Sequence, residues 1–282
     1  MSSVPFLVLG AFGYLLASVL YIAYLLKTQH SQQIAFLHAG RLAGAFGVIC
    51  HTTAIGLHCM NTHHTPISTG PEAISATGWS IAIAYFFVEV SNWKRPPSAL
   101  GAAAFPIAFI CVFTGSTMAA PKRQLSGFHL QLLDSSLVSL HIMAIIFAFG
   151  LLTLAVCCSL LYLIEHRLLK QKRLFGGIFS KLPPLADVDH LAFTLVCLAF
   201  PLLSLGIIAG IIRAASFPVP FLSWATDPPT LAAGVCWLIY GLYLWAHATS
   251  NWQGLRANYL LLAGLLIVVL TFFAPSHLHR FS

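Results

Sequence analysis

The chain has 282 residues, of which 59% are hydrophobic and only 7% charged, and its mean hydropathy is +0.87. That composition excludes an ordinary water-soluble domain. The net charge of +7 is not a nucleic-acid footprint, because no basic stripe with interleaved aromatics stands on a soluble surface.

Apolar runs long enough for a helix to cross a bilayer recur from one end to the other. The first covers 4–26. The opening Met-Ser-Ser-Val-Pro carries no basic side chain, and the run is too long for the apolar core of a signal peptide, so it is expected to persist as a helix. The others cover 39–60, 73–90, 99–120, 136–164, 191–212, 231–249 and 257–273. A transmembrane barrel would show short alternating segments instead. The expected fold class is therefore all-α: a polytopic membrane protein of about eight transmembrane helices in one bundle. One transmembrane domain is expected over 1–282. Helices 1–5 lie within about 4–164, a basic inner linker covers 165–190, and helices 6–8 lie within about 191–273.

Orientation follows from the basic residues of the loops, which accumulate on the cytoplasmic side. With the N-terminus outside, the inner face holds Lys27, Arg41, Lys94, Arg95, Arg167, Lys170, Lys172, Arg173, Lys181 and Arg256. The outer face holds Lys122, Arg123, Arg213 and Arg280, so the split is ten against four. The expected location is a bacterial cytoplasmic (inner) membrane with both termini outside. Glu89, near the inner end of helix 3, is expected to pair with Lys94 or Arg95. The seven cysteines fall mostly within apolar runs and include no Cys-x-x-Cys, which excludes a thioredoxin-like motif and a covalent haem attachment site. Nor is there a Gly-x-Ser-x-Gly, His-Glu-x-x-His or phosphate-loop pattern.

Thirteen histidines in so apolar a chain carry the functional signal. An ionisable side chain in the membrane is costly and marks a site unless a neighbour satisfies it. By the topology above, the outer face gathers His58 at the end of helix 2, His141 about 8 Å into helix 5, and His277 and His279 after helix 8. The loop 214–230, with Trp224 and Asp227, joins them there. His38 and His247 form a thinner set in the inner half. For mid-helix His51, a hydrogen bond to a neighbouring helix competes with ligation. Trp79, Trp93, Trp237, Trp245 and Trp252 suit packing or an interfacial aromatic belt.

Several segments are similar to a known family. They are Leu-Pro-Pro-Leu-Ala-Asp-Val-Asp-His-Leu-Ala-Phe at 182–193, Phe-Pro-Leu-Leu-Ser-Leu-Gly-Ile-Ile-Ala-Gly at 200–210, and Asp227-Pro228 followed by Trp237-Leu-Ile-Tyr240. Trp-Gln-Gly-Leu-Arg-Ala-Asn-Tyr at 252–259 and Leu-Asp-Ser-Ser-Leu-Val-Ser-Leu-His at 133–141 complete the set. Together these resemble the cytochrome c assembly family, the CcsA/HemX/YpjD-like membrane proteins, over about 131–274. Where that family carries several tryptophans in its haem-handling loop, this chain keeps Trp224 and Asp227. Trp245 stands at the family's helix histidine, with His247 two residues on. These departures point to the HemX/YpjD-like branch.

The resemblance implies haem, as haem b, bound at the outer face, with other cytochrome c assembly proteins and apocytochrome c as partners beside the lipid bilayer. It implies His141 and His277 as metal ligands, with His279, Trp224, Asp227, His247 and His58 as further cofactor-binding residues. Arg213 and Arg280 would meet the propionates. The chain would then bind and position haem, and attachment chemistry would be shared with partners; it is not read as an enzyme by itself. Two other readings stay open. One is a non-catalytic regulator or scaffold of tetrapyrrole or cytochrome biogenesis that docks through 165–190. The other is a b-type electron carrier using His51 or His58 with His141. A transporter built of two similar halves is disfavoured by the five-plus-three division.

Overall fold

The computed structural model describes residues 2–27, 29–62, 70–91, 97–117, 136–171, 181–216, 221–249, 252 and 254–273. Among them the regular structure is helical throughout. In chain order the helices are α1 (Val4–Leu26), α2 (His30–Thr62), α3 (Gly70–Ser91), and a 3-10 turn (Ser98–Leu100) running into α4 (Gly101–Thr117). Then come α5 (Ser136–Lys170), α6 (Leu185–Ala215), the short α7 (Phe221–Ala225), α8 (Pro228–Thr249) and α9 (Leu255–Phe273). Seven are long and apolar enough to cross a membrane, and α9 is a shorter apolar helix. The eight apolar runs of the sequence are thus eight helices of an all-α polytopic membrane bundle.

The helices overrun the apolar runs at the Lys181 end. α2 begins at His30 and not at 39, α5 continues to Lys170, and α6 begins at Leu185. The segment expected as a linker, 165–190, is therefore helical at both of its ends. Hydropathy reports only the length in contact with lipid. α5 has 35 residues and rises about 52 Å at ~1.5 Å per residue, well beyond a hydrocarbon core of about 30 Å.

Small residues set the closest helix pair. In α1 and α2 the backbones meet at Gly10, Gly13 and Gly47, where a Cβ on Gly13 would stand 2.7 Å from the Gly47 Cα. Helices in lipid gain nothing from burying apolar surface, so such packing is what holds them together. Tyr14, Tyr21, Tyr85 and Phe105 fill the space between α1, α3 and α4, with Tyr21 stacked on Phe105 at 5.4 Å. Beside them Arg41 Nε donates to Glu89 Oε1 at 2.9 Å, and the Tyr85 hydroxyl donates to the same oxygen at 3.2 Å. Glu89 thus pairs with Arg41 of α2; Lys94 and Arg95, its expected partners, lie outside the described residues.

α3 joins the first four helices to the rest by packing on α5, where the Ser80 hydroxyl donates to the Ile146 carbonyl at 3.0 Å. α5 and α6 form the most extensive pair, and α9 packs on both α5 and α8. Lys181 supplies a second tie. Its ammonium donates to the carbonyls of Tyr24 at 3.0 Å and Leu25 at 2.8 Å, and also to that of Lys27. It thereby meets backbone acceptors that the end of α1 leaves over. The end of α1 and the start of α6 therefore share one end of the bundle. The opposite end holds the starts of α1, α5 and α8 and the finish of α6.

Candidate functional site

His141 lies in the second turn of α5, at the end away from Lys181. Its Nδ1 is 2.6 Å from the Gly206 carbonyl oxygen of α6. The ring lies against Gly210, one turn further along, where a Cβ would stand 2.8 Å from both Cε1 and Nδ1. α6 then runs through Arg213 in its last turn to Ser216. After the short α7, Asp227 is buried at 3% exposure, and its carbonyl accepts the Leu231 N–H at 3.0 Å. It occupies the N-cap position of α8, with Pro228 opening the helix, which suits an acidic residue at the positive end of the helix dipole. Trp224 is on α7, three positions before Asp227; its side chain, His277 and His279 lie outside what the structure describes. α9 runs toward the same end as His141 and finishes at Phe273.

The other histidines have different surroundings. His58 Nε2 lies 3.9 Å from Glu72 Oε1, which ties the last part of α2 to the start of α3. His51 is 1% exposed, with Nε2 3.4 Å from the Ser75 hydroxyl of α3 and its ring against Tyr14. That is the helix–helix bond weighed against ligation. Both histidines engage α3, and α3 packs on both α2 and α5.

His247 is at the Lys181 end, with the length of α8 between it and Asp227. Its Nε2 is 3.6 Å from Asp189 Oδ2, and its ring stacks on Phe193 at 4.2 Å. The amide nitrogen of Asn258 donates to Asp189 Oδ1 at 3.0 Å and to the Gly254 carbonyl at 2.8 Å. One carboxylate thus serves α6, α8 and α9. His247 does not join the His141 group.

Asp189 and Asn258 carry structural roles that the sequence reading did not assign, although an Asn inside an apolar run is itself a signal. Gly206 and Gly210 belong to the 200–210 segment, and their four-residue spacing is the mark of a shared helix face. Among the described residues no three His, Cys, Asp or Glu side chains gather as a metal site, and all seven cysteines are free thiols.

Compared with known families, residues 67–279 match the cytochrome c assembly protein model. The chain belongs to the cytochrome c assembly protein family. The match takes in α3 and α4 as well as the segments that resembled the family in sequence, and it reaches His277 and His279. Similar relatives include the cytochrome c biogenesis protein CcsA of Synechococcus sp. (strain CC9605), 24% identical over 252 residues that cover 82% of this chain and 81% of that protein. The CcsA of Guillardia theta is 24% identical over 244 residues, covering 81% and 79%. That of Porphyra purpurea is 24% identical over 250 residues, covering 76% of each. No solved structure matches the chain.

Proposed function

We propose that this multi-pass membrane protein works in cytochrome c biogenesis by holding haem at the His141 end of its bundle. Haem is the cargo, as haem b, and the protein binds and positions it. Apocytochrome c and other assembly proteins receive it and complete the thioether chemistry. The observation that carries the reading is the seat of His141: an imidazole in a membrane-spanning helix, on the helix pair that leads directly into the loop bearing Trp224 and Asp227. The donor set suits the cargo. His141 and either His277 or His279 would serve the two axial positions, Trp224 would offer a face to the porphyrin, and Arg213 and Arg280 would meet the propionates. Asp227, as the α8 cap, would fix where the loop ends. His58 and His247 stand outside this set, the first paired with α3 and the second at the other end.

The relatives named CcsA and the family match support this role. The excess of Lys and Arg at the Lys181 end supports that end as cytoplasmic, in a bacterial inner membrane with both termini outside. The test is the absorption spectrum of the purified protein. A Soret band is expected, lost in His141→Ala and weakened in Trp224→Ala, with both variants folded because they lie near the start of α5 and on the short α7. Wild-type levels of haem and of cytochrome c maturation in both variants would retire the reading in favour of a docking scaffold.

A further inference from the structure

We infer that α6 positions His141, with the Gly206 carbonyl fixing the tautomer and Gly210 fixing the plane of the ring, so that Nε2 is the nitrogen presented to iron. This rests on the haem reading and adds the means by which the ligand is prepared.

A carbonyl oxygen can only accept. The 2.6 Å contact between His141 Nδ1 and the Gly206 oxygen therefore puts a proton on Nδ1. In the neutral imidazole the remaining lone pair is on Nε2. Histidines that bind metals commonly donate their other N–H to a backbone carbonyl or carboxylate, which fixes the ring and raises the basicity of the ligating nitrogen. A carbonyl has two lone pairs, so Gly206 can serve both its own helix and His141.

Gly210 supplies the room. Any side chain there would place its Cβ 2.8 Å from Cε1 and Nδ1, closer than van der Waals contact allows. Gly206 differs: a Cβ there would meet the Ile145 side chain, Cδ1 at 2.7 Å and Cγ1 at 2.8 Å, and would come no nearer to His141 than its backbone oxygen at 3.4 Å. The two glycines are thus separable by experiment. Arg213 in the last turn and Ser216 at the C-cap follow on the same helix, so a shift of α6 moves the hydrogen-bond acceptor of the ligand together with the helix end that leads into the loop.

The first test is nitrogen NMR of the haem-free protein with isotope-labelled histidine, the His141 signals being identified by their loss in His141→Gln. The proton is expected on Nδ1 and not on Nε2. In Gly210→Ala that preference is expected to be lost, and haem affinity to fall on the order of tenfold, the typical cost of disturbing a partner behind a metal ligand. Gly206→Ala keeps the carbonyl and should retain both the tautomer and the affinity. With His141→Gly, added imidazole should restore haem equally in the Gly210 and Gly210→Ala backgrounds, since a free ligand need not fit the notch. A proton on Nε2 in the wild-type protein, or identical behaviour of the two glycine variants, overturns the inference while the haem reading stands. The expected tautomer in a protein that takes up no haem retires both.

Discussion

At the scale of single residues, the polar side chains placed in apolar helices meet one another: His51 with Ser75, Glu89 with Arg41, and Asp189 with both Asn258 and His247. Lipid offers no hydrogen bonds, so each such group needs a protein partner. The sequence announced that need and could not name the partners, since nothing in chain position relates residue 41 to 89 or 189 to 258. Glu89 shows the limit. Its nearest basic neighbours in sequence are Lys94 and Arg95, and Arg41, which it meets, comes from another helix. Asp189 is the residue with most to lose. Asp189→Ala removes the acceptor of the buried Asn258 amide and the carboxylate 3.6 Å from His247, and should destabilise the protein by about 1–3 kcal/mol, read as a lower midpoint of thermal unfolding in detergent. Asp187→Ala, at an exposed position of the same helix, should change little. Combining Asp189→Ala with Asn258→Ala should cost less than the sum of the two, because both remove the same bond.

At the scale of helices, existence and order were legible in the apolar runs, and the ends were not. Polar residues such as Gln33 and Asp187 continue a helix as readily as they begin a loop, so α2, α5 and α6 are longer than their lipid-facing parts. Which helices touch, and how closely, depends on small residues that composition does not place. The α1–α2 contact makes the point testable. A Cβ on Gly47 would fall 2.7 Å from the Tyr14 ring, whereas one on Gly56 of the same helix meets nothing within 4 Å. Gly47→Ala should destabilise by about 1–3 kcal/mol through overpacking. Gly56→Ala should be neutral or slightly stabilising, because alanine is the better helix former. Equal unfolding midpoints for the two variants would contradict the α1–α2 geometry.

For the whole molecule, an even number of crossings puts the start of α1 and the finish of α9 at one end, which the proposed orientation turns to the outside. A reporter that works only outside the cytoplasm, fused after Ser282, should be active; activity of a cytoplasmic reporter at that position would reverse the orientation. Of the candidate site, His141 was legible from its depth in helix 5 and from the segment it ends. The acceptor it meets was not, because α6 follows only after the rest of α5 and a long connection. Lys181 raises the same separation to a question of time. Its partners at the end of α1 are made early, and the ammonium that meets them is made 154 residues after Lys27. As the chain emerges from the ribosome, the last carbonyls of α1 must rely on water or headgroups until the connection before α6 is complete. The first helix is thus among the first to enter the membrane and among the last to acquire its final contacts, and the front of the molecule cannot mature ahead of the back.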